Sequence, residues 1–132
     1  MGKTKNRKQT RNLTKTHHII FDAIGCDAKL ISDETFVFKL LMEIPKLVGM
    51  KILAGPNLIR DYNPDNFGIT GIAIISFSHI SIHTFSNTKE AFVDIFSCRP
   101  FDYEKVRRYL YKNFKVSPKN VETLTVKYPW ER

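Results

Sequence analysis

Three β-rich stretches follow one another between residues 68 and 98, and only short turns separate them. They are residues 68–77 (GITGIAIISF), 79–85 (HISIHTF) and 91–98 (AFVDIFSC). Connections of hairpin length join antiparallel strands, because a parallel connection needs a long crossover. We therefore expect an antiparallel sheet at the centre of the fold.

Further strands are predicted on both sides of this segment. Residues 17–23 (HHIIFDA) and 51–54 (KILA) are rich in β-forming side chains. Residues 120–128 (NVETLTVKY) alternate as a final strand. Residues 55–57 (GPN) and 63–66 (NPDN) are typical of turns.

The first predicted helix begins near Glu34, with Ser32 or Asp33 as its N-cap. Apolar side chains recur at helical spacing through residues 37–48. Pro45 should kink this helix or end it early, because proline lacks the backbone N–H of an interior position. Gly49 fits a C-cap.

The second predicted helix follows an N-cap at Asp102, and its apolar face consists of Val106, Leu110 and Phe114. The predicted order is β-α-β-β-β-β-α-β. Two helices of this kind cover one face of one sheet. The expected fold class is therefore α+β, a two-layer sandwich of a mainly antiparallel sheet covered by two helices on one face.

Length and charge predict one domain with a basic tail. The chain has 132 residues and a net charge of +8, and six lysines and arginines lie in residues 1–16 without any acid. We expect residues 1–15 to form a disordered basic tail and residues 16–132 to form the domain. The tail can contact nucleic acid weakly, but the rest lacks the basic and aromatic pattern of a dedicated nucleic-acid-binding protein.

Location and redox chemistry are only coarsely constrained. No apolar run approaches the ~20 residues of a membrane span, and no signal peptide is recognisable, so we expect a cytoplasmic protein. The two cysteines, Cys26 and Cys98, are too few for a disulfide scaffold and fit no zinc-binding spacing.

Residues 76–84 (SFSHISIHT) concentrate hydroxyl and imidazole side chains in one strand-like run. A zinc site formed by His79 and His83 is not expected, because on a strand they lie about 13 Å apart at ~3.3 Å per residue. A serine hydrolase is not indicated either, since no G-x-S-x-G motif is present. From these residues alone, a strand with a polar face towards water remains an open alternative.

The order of the motifs resembles that of the small prokaryotic, pyruvoyl-dependent S-adenosylmethionine decarboxylases. Their pattern is roughly G-[VI]-[ST]-G, S-E-S-H, H-T-W-P-E and D-[LIV]-F-[ST]-C-G. This sequence has GITG, SFSH, HTFSN and DIFSCR in the same order and spacing, and HIIFDAIGCD resembles the family's first strand. The resemblance covers about residues 17–128.

The resemblance implies a chain that cuts itself between Phe77 and Ser78. Ser78 would become a pyruvoyl group, whose ketone forms a Schiff base with the substrate amine and accepts electrons as CO2 leaves. By position, His83 and Thr70 would assist self-cleavage, and Cys98 would return a proton to the substrate carbon. No metal is implied, and relatives of this size are homodimers with sites shared between subunits.

Several positions depart from the family pattern. Phe77 replaces a glutamate, Arg99 replaces a glycine, and residues 85–87 (FSN) replace W-P-E. By resemblance Phe85 and Asn87 would bind the substrate, although Asn87 lacks the charge of the family's glutamate.

The function that the resemblance implies is decarboxylation of S-adenosylmethionine for spermidine synthesis. The alternatives are a pyruvoyl decarboxylase of another amino acid, such as arginine or ornithine, and an unprocessed paralogue acting as a binding or regulatory subunit. An unrelated α+β binding module is the remaining alternative.

Strand parity adds one constraint. His79, Ser81 and His83 share one face of a regular strand, and Ser78 points to the other face. Ser78 and His83 can therefore meet only if the chain bends near the bond to be cut.

Overall fold

The computed structural model of the chain describes residues 15–65 and 67–128, so residues 1–14 of the predicted tail lie outside it. The strands are β1 (His17–Ala23), β2 (Ile52–Asp61), β3 (Gly68–Ile75), β4 (Ser78–Phe85), β5 (Glu90–Ser97) and β6 (Val121–Thr125). The helices are α1 (Ala28–Ile31), α2 (Glu34–Leu47) and α3 (Tyr103–Phe114), with a 3-10 turn at Pro118–Asn120.

The strands form one antiparallel sheet in the order β2-β3-β4-β5-β1-β6. The hairpins β3–β4 and β4–β5 confirm the central antiparallel segment that the sequence predicts. β1 lies between β5 and β6, so the edges of the sheet are β2 and β6.

Alternation along the strands directs one set of side chains towards the helices. Inward residues of β3, β4 and β5 are buried at every second position, as the period of a strand requires. Val37, Leu40 and Leu41 of α2 and Leu110 and Phe114 of α3 complete this core. The predicted α+β sandwich is confirmed.

The predicted N-caps agree with the structure, whereas the C-cap of α2 is Val48, and Gly49, with a φ of +69°, follows it. The Asp33 carboxylate accepts a hydrogen bond from the Thr35 N–H, and the Asp102 carboxylate accepts one from the Lys105 N–H. α2 continues through Pro45 and ends at Leu47, so the proline does not stop the helix where it stands.

The predicted strand at residues 51–54 is too short, and the turn predicted at residues 55–57 was wrong. Those residues lie inside β2, where the register with β3 shifts between Ala54 and Asn57. Pro56 is tolerated because β2 is an edge strand, which can lack a ladder N–H. Gly55 has a φ of +88°, a conformation that favours glycine. The sequence predicted a turn here because glycine followed by proline is typical of turns.

The short helix α1 was not predicted. Its N-cap is Asp27, whose carboxylate accepts hydrogen bonds from the N–H groups of Lys29 and Leu30. In the part of the chain that the structure describes, no helix has the length and apolar character needed to cross a membrane.

Candidate active site

The predicted cleavage bond follows the tight turn between β3 and β4. Ile75 and Ser78 pair across the hairpin, so Ser76 and Phe77 alone form the turn. Phe77 has a φ of 59° and its side chain is 57% exposed. A left-handed conformation costs a residue with a side chain roughly 1–2 kcal/mol, so the residue before the bond is strained.

The Phe77 carbonyl, the group that self-cleavage would attack, has a defined partner. Its oxygen accepts a hydrogen bond from the Cys98 N–H at 2.8 Å. A backbone N–H in this position withdraws electrons from the carbonyl carbon and can stabilise an oxyanion formed there.

Ser78, the first residue of β4, points towards the helix layer and is 8% exposed. Its hydroxyl donates a hydrogen bond to Ser97 Oγ at 2.6 Å, and its Oγ lies 3.0 Å from Met50 Sδ. Ser97 is fully buried, and its Oγ also accepts the Arg99 N–H at 2.9 Å. The sequence reasoning did not identify Ser97 or Met50, although a serine at an inward position of β5 is a signal that could have done so.

Thr70 and His83 form a second pair of site residues. They face each other across β3 and β4, and Thr70 Oγ1 lies 3.0 Å from His83 Nδ1. Both side chains are exposed on the sheet face that carries no helix, which we call the open face. The structure thus brings together two of the residues that the resemblance assigns to self-cleavage.

The two pairs lie at opposite ends of β4. His83 is five positions from Ser78 along a regularly paired strand, or about 16 Å at ~3.3 Å per residue. Their side chains also point to opposite faces, as the parity of the strand predicts. Within β4 the pairing has no register shift, so a bend that would let Ser78 and His83 meet in one chain is not found there.

The two predicted substrate contacts lie at the His83 end of β4. The Phe85 ring packs against Phe92 with centroids 5.8 Å apart. Asn87 donates a side-chain hydrogen bond to the Pro64 carbonyl at 3.0 Å, so part of its amide is used in a contact between the β4–β5 loop and the β2–β3 loop.

The two cysteines differ in accessibility. Cys26 is 2% exposed, and burial raises the pKa of its thiol to about 11. Cys98 is half-buried and directly follows β5 beside Phe77. Of the two, Cys98 is therefore the thiol available for proton transfer. Among the described residues, no group of three or more metal-binding side chains could hold an ion.

The open face also contains a hydrogen-bonded network that the sequence did not predict. His18 Nε2 lies 2.6 Å from Asp94 Oδ1, and His18 Nδ1 lies 2.8 Å from Tyr128 Oη. Both imidazole nitrogens are therefore engaged. The network joins β1 to β5 and to the segment after β6, and so it stabilises that side of the sheet.

Apolar side chains are unusually exposed on the open face. Ile72 is 43% exposed, Ile74 51%, Ile59 73% and Leu124 59%. Ile59, Ile72 and Ile74 lie on the neighbouring strands β2 and β3, and a contiguous apolar patch is typical of an interaction site.

The fold and the site define a two-layer α+β protein in which a buried serine begins a strand directly after a strained turn. Residues 17–127 match the protein family described as S-adenosylmethionine decarboxylase. The chain therefore belongs to the S-adenosylmethionine decarboxylase family, which excludes the unrelated binding module considered above.

Relatives in archaea and bacteria carry the same name, S-adenosylmethionine decarboxylase proenzyme. That of Pyrococcus abyssi (strain GE5 / Orsay) is 31% identical over 109 residues, which is 82% of this chain and 76% of the relative. That of Clostridium botulinum (strain Langeland / NCTC 10281 / Type F) is 31% identical over 98 residues, 74% of this chain and 81% of the relative. That of Methanococcus maripaludis (strain C5 / ATCC BAA-1333) is 32% identical over 81 residues, 61% and 63% of the two chains.

Proposed function

We propose that the chain is a self-cleaving, pyruvoyl-dependent decarboxylase that converts S-adenosylmethionine to its decarboxylated form for spermidine synthesis in the cytoplasm. The observation that carries this proposal is the turn at Phe77, whose carbonyl oxygen accepts the Cys98 N–H directly beside the hydroxyl of Ser78. Support also comes from the relatives, which are named as proenzymes of this decarboxylase.

Self-cleavage would begin with attack of Ser78 Oγ on the carbonyl carbon of Phe77. The C–O bond forms, the C–N bond breaks, and the hydroxyl proton ends on the Ser78 nitrogen, which leaves an ester. The Cys98 N–H is positioned to stabilise the negative charge on the Phe77 oxygen during this shift.

The ester would then be opened by β-elimination. A base removes the Ser78 Cα proton, the Cβ–Oγ bond breaks, and Phe77 leaves as a carboxylate. His83 is the candidate base, and Thr70 Oγ1 at 3.0 Å from Nδ1 orients its ring. The residual dehydroalanine takes up water and releases ammonia, so that residue 78 ends as a pyruvoyl group.

The residues around position 78 fit such a group. The cut would fall in the turn, so β3 and β4 keep their pairing, and fragment 1–77 contributes β1 between β5 and β6 of the other fragment. Interleaved strands hold the two fragments together without the peptide bond.

When formed, the pyruvoyl ketone supplies an electron sink for loss of CO2 from the substrate. Cys98, half-buried beside the turn, would hold the proton that the substrate carbon then receives.

The complete site is proposed to form in a homodimer. One chain keeps Ser78 and His83 about 16 Å apart, so its own His83 does not reach the Ser78 Cα proton. We propose that a twofold axis packs two open faces together in the one arrangement that brings Thr70 and His83 of one chain to the Ser78 and Cys98 end of the other. It would also bury the exposed apolar residues of the open face, such as Ile72 and Ile74.

We propose that residues at the end of β4 select the substrate, and Phe85 there offers an aromatic ring for stacking. Asn87 offers an uncharged amide that is partly used by the Pro64 carbonyl. This engagement is the observation that favours the second candidate function, a pyruvoyl decarboxylase of arginine or ornithine, because it weakens recognition of a ribose.

The proposal is tested by the intact mass of the freshly purified, denatured chain and of Ser78→Ala. The expected result is two wild-type fragments, residues 1–77 and a pyruvoyl-led remainder, and one uncleaved variant of about 15.3 kDa. Release of CO2 from carboxyl-labelled S-adenosylmethionine, but not from labelled arginine or ornithine, is then expected of the cleaved protein alone. A single wild-type species near 15.3 kDa would instead indicate the unprocessed paralogue.

A further inference from the structure

We infer that Ser97 is a positioning residue for self-cleavage, whose side-chain oxygen orients the Ser78 hydroxyl towards the Phe77 carbonyl. This inference rests on the proposed function and adds a residue to its first step.

Ser97 occupies a position at which a polar side chain needs a reason. It is the last inward-facing residue of β5 after Ala91, Val93 and Ile95, and its exposure is 0%. A hydroxyl buried among apolar side chains is unfavourable unless it is hydrogen-bonded. In the register of the sheet it lies directly opposite Ser78.

The Ser97 oxygen is fixed by two donors. It accepts the Ser78 hydroxyl at 2.6 Å and the Arg99 N–H at 2.9 Å. The Arg99 N–H belongs to the backbone directly after Cys98, whose own N–H binds the Phe77 carbonyl oxygen. Residues 97–99 therefore hold both partners of the acyl shift, the attacking hydroxyl and the carbonyl that it attacks.

A serine hydroxyl does not act as a base here, because a neutral alcohol does not retain a second proton. The Ser78 proton ends on the Ser78 nitrogen, as the acyl shift requires. Ser97 instead restricts rotation of the Ser78 side chain and draws the hydroxyl hydrogen away from the attacking lone pairs. The nearby Met50 sulfur, at 3.0 Å, does not substitute for it because a thioether is a weak acceptor.

The test compares Ser97→Ala, Ser97→Cys and Ser97→Thr in the full chain, with cleavage followed over time by intact mass. Threonine keeps the oxygen, whereas cysteine fills the space with a poor acceptor. We expect alanine and cysteine to slow cleavage about tenfold or more, as loss of an orienting hydrogen bond implies, and threonine to stay close to the wild-type rate. The control is Thr84→Val, which removes another buried hydroxyl of the inward face, bonded to the Ile31 carbonyl, and should not slow cleavage.

Hydroxylamine shows which step a variant slows, because it cuts an ester that has already formed, and urea unfolding of each variant shows separately whether its stability has changed. His83→Ala, blocked at elimination, should accumulate this ester, whereas Ser97→Ala should not. Wild-type cleavage with an equally fast Ser97→Ala, or with ester accumulating in that variant, would overturn this inference alone. An uncleaved wild type would overturn the proposed function along with it, and should Ser97→Ala fail to fold, the cysteine and threonine variants decide.

Discussion

Phe77 and Arg99 replace the two residues of the family pattern, glutamate and glycine, on either side of the scissile turn. The Arg99 guanidinium carbon lies 4.2 Å from the centroid of the Phe77 ring. The two departures are therefore in contact. A guanidinium packed over an aromatic ring stands where the family pattern has a glutamate and a glycine.

The contact predicts an energetic coupling between the two side chains. We expect Phe77→Leu and Arg99→Gln each to lower the free energy of unfolding, and the double variant to lose less than the sum by about 0.5–1 kcal/mol. Urea unfolding in the uncleaved Ser78→Ala chain, at one protein concentration, measures this cycle. Strict additivity would show that the stacking contributes nothing, and Arg99→Lys, which keeps the cation, should retain part of the coupling.

Individual residues also show how far the sequence could be interpreted. The spacing of Thr70, His83, Ser78 and Cys98 carried the resemblance, and the structure pairs the first two directly. The local signal for Ser97 is a single serine at an inward position of β5, and this signal marks a buried hydroxyl without showing what it contacts. Its significance depends on the register that places it opposite Ser78, and register is a tertiary property.

At the scale of elements, the sequence predicted helices and strands best where one local signal, such as a capping aspartate or a short turn, was dominant. The helix caps at Asp33 and Asp102 and the central hairpins followed from local chemistry. β2 did not, because Gly55 and Pro56 are typical of turns, whereas pairing with β3 keeps them in an irregular edge strand. Tertiary pairing overrides local propensity in such a segment.

The neighbouring strands β1 and β6 carry an electrostatic strain on the open face. Asp22 of β1 lies directly opposite Glu122 of β6. Burial first, and then the charges of Glu122, Asp94 and Glu90, raise the pKa of the Asp22 carboxyl above its ordinary value. The folded chain therefore holds this proton more tightly than the unfolded chain does, and ionisation of Asp22 opposes folding.

This strain predicts a stabilising substitution. In the Ser78→Ala chain, Asp22→Asn should raise the free energy of unfolding at pH 7 by about 0.5 kcal/mol, since like charges opposite each other on paired strands repel. The advantage should shrink as the pH falls from 7 towards 4, because the raised pKa lets Asp22 take up its proton in the folded wild-type chain at a higher pH than in the unfolded chain. Urea unfolding across this pH range measures it. Asp65→Asn in an exposed turn should change little, and an equal gain at that position would assign the effect to net charge.

At the scale of the molecule, the separation of the two residue pairs along β4 is the reason for proposing a site shared by two chains. If each site combines Ser78 and Cys98 of one chain with Thr70 and His83 of its partner, one C2 dimer contains two such sites. The variants then fall into two groups according to the end of β4 that they alter. Substitutions from different groups leave one of the two sites intact in a mixed dimer, whereas substitutions from the same group leave none.

This grouping predicts complementation between two inactive variants. Ser78→Ala and His83→Ala, co-expressed with different affinity tags and purified as the mixed dimer, should yield cleavage of the His83→Ala chain only. Its intact Ser78 would meet the His83 of the partner, while the Ser78→Ala chain should keep its full mass of about 15.3 kDa. The pair Thr70→Ala with His83→Ala is the matched control, because both alter the same end of β4 and neither site is then complete. If the Ser78→Ala and His83→Ala pair is cleaved no faster than His83→Ala alone, each chain must supply its own base, and β4 must then deviate from its regular pairing to bring His83 to Ser78.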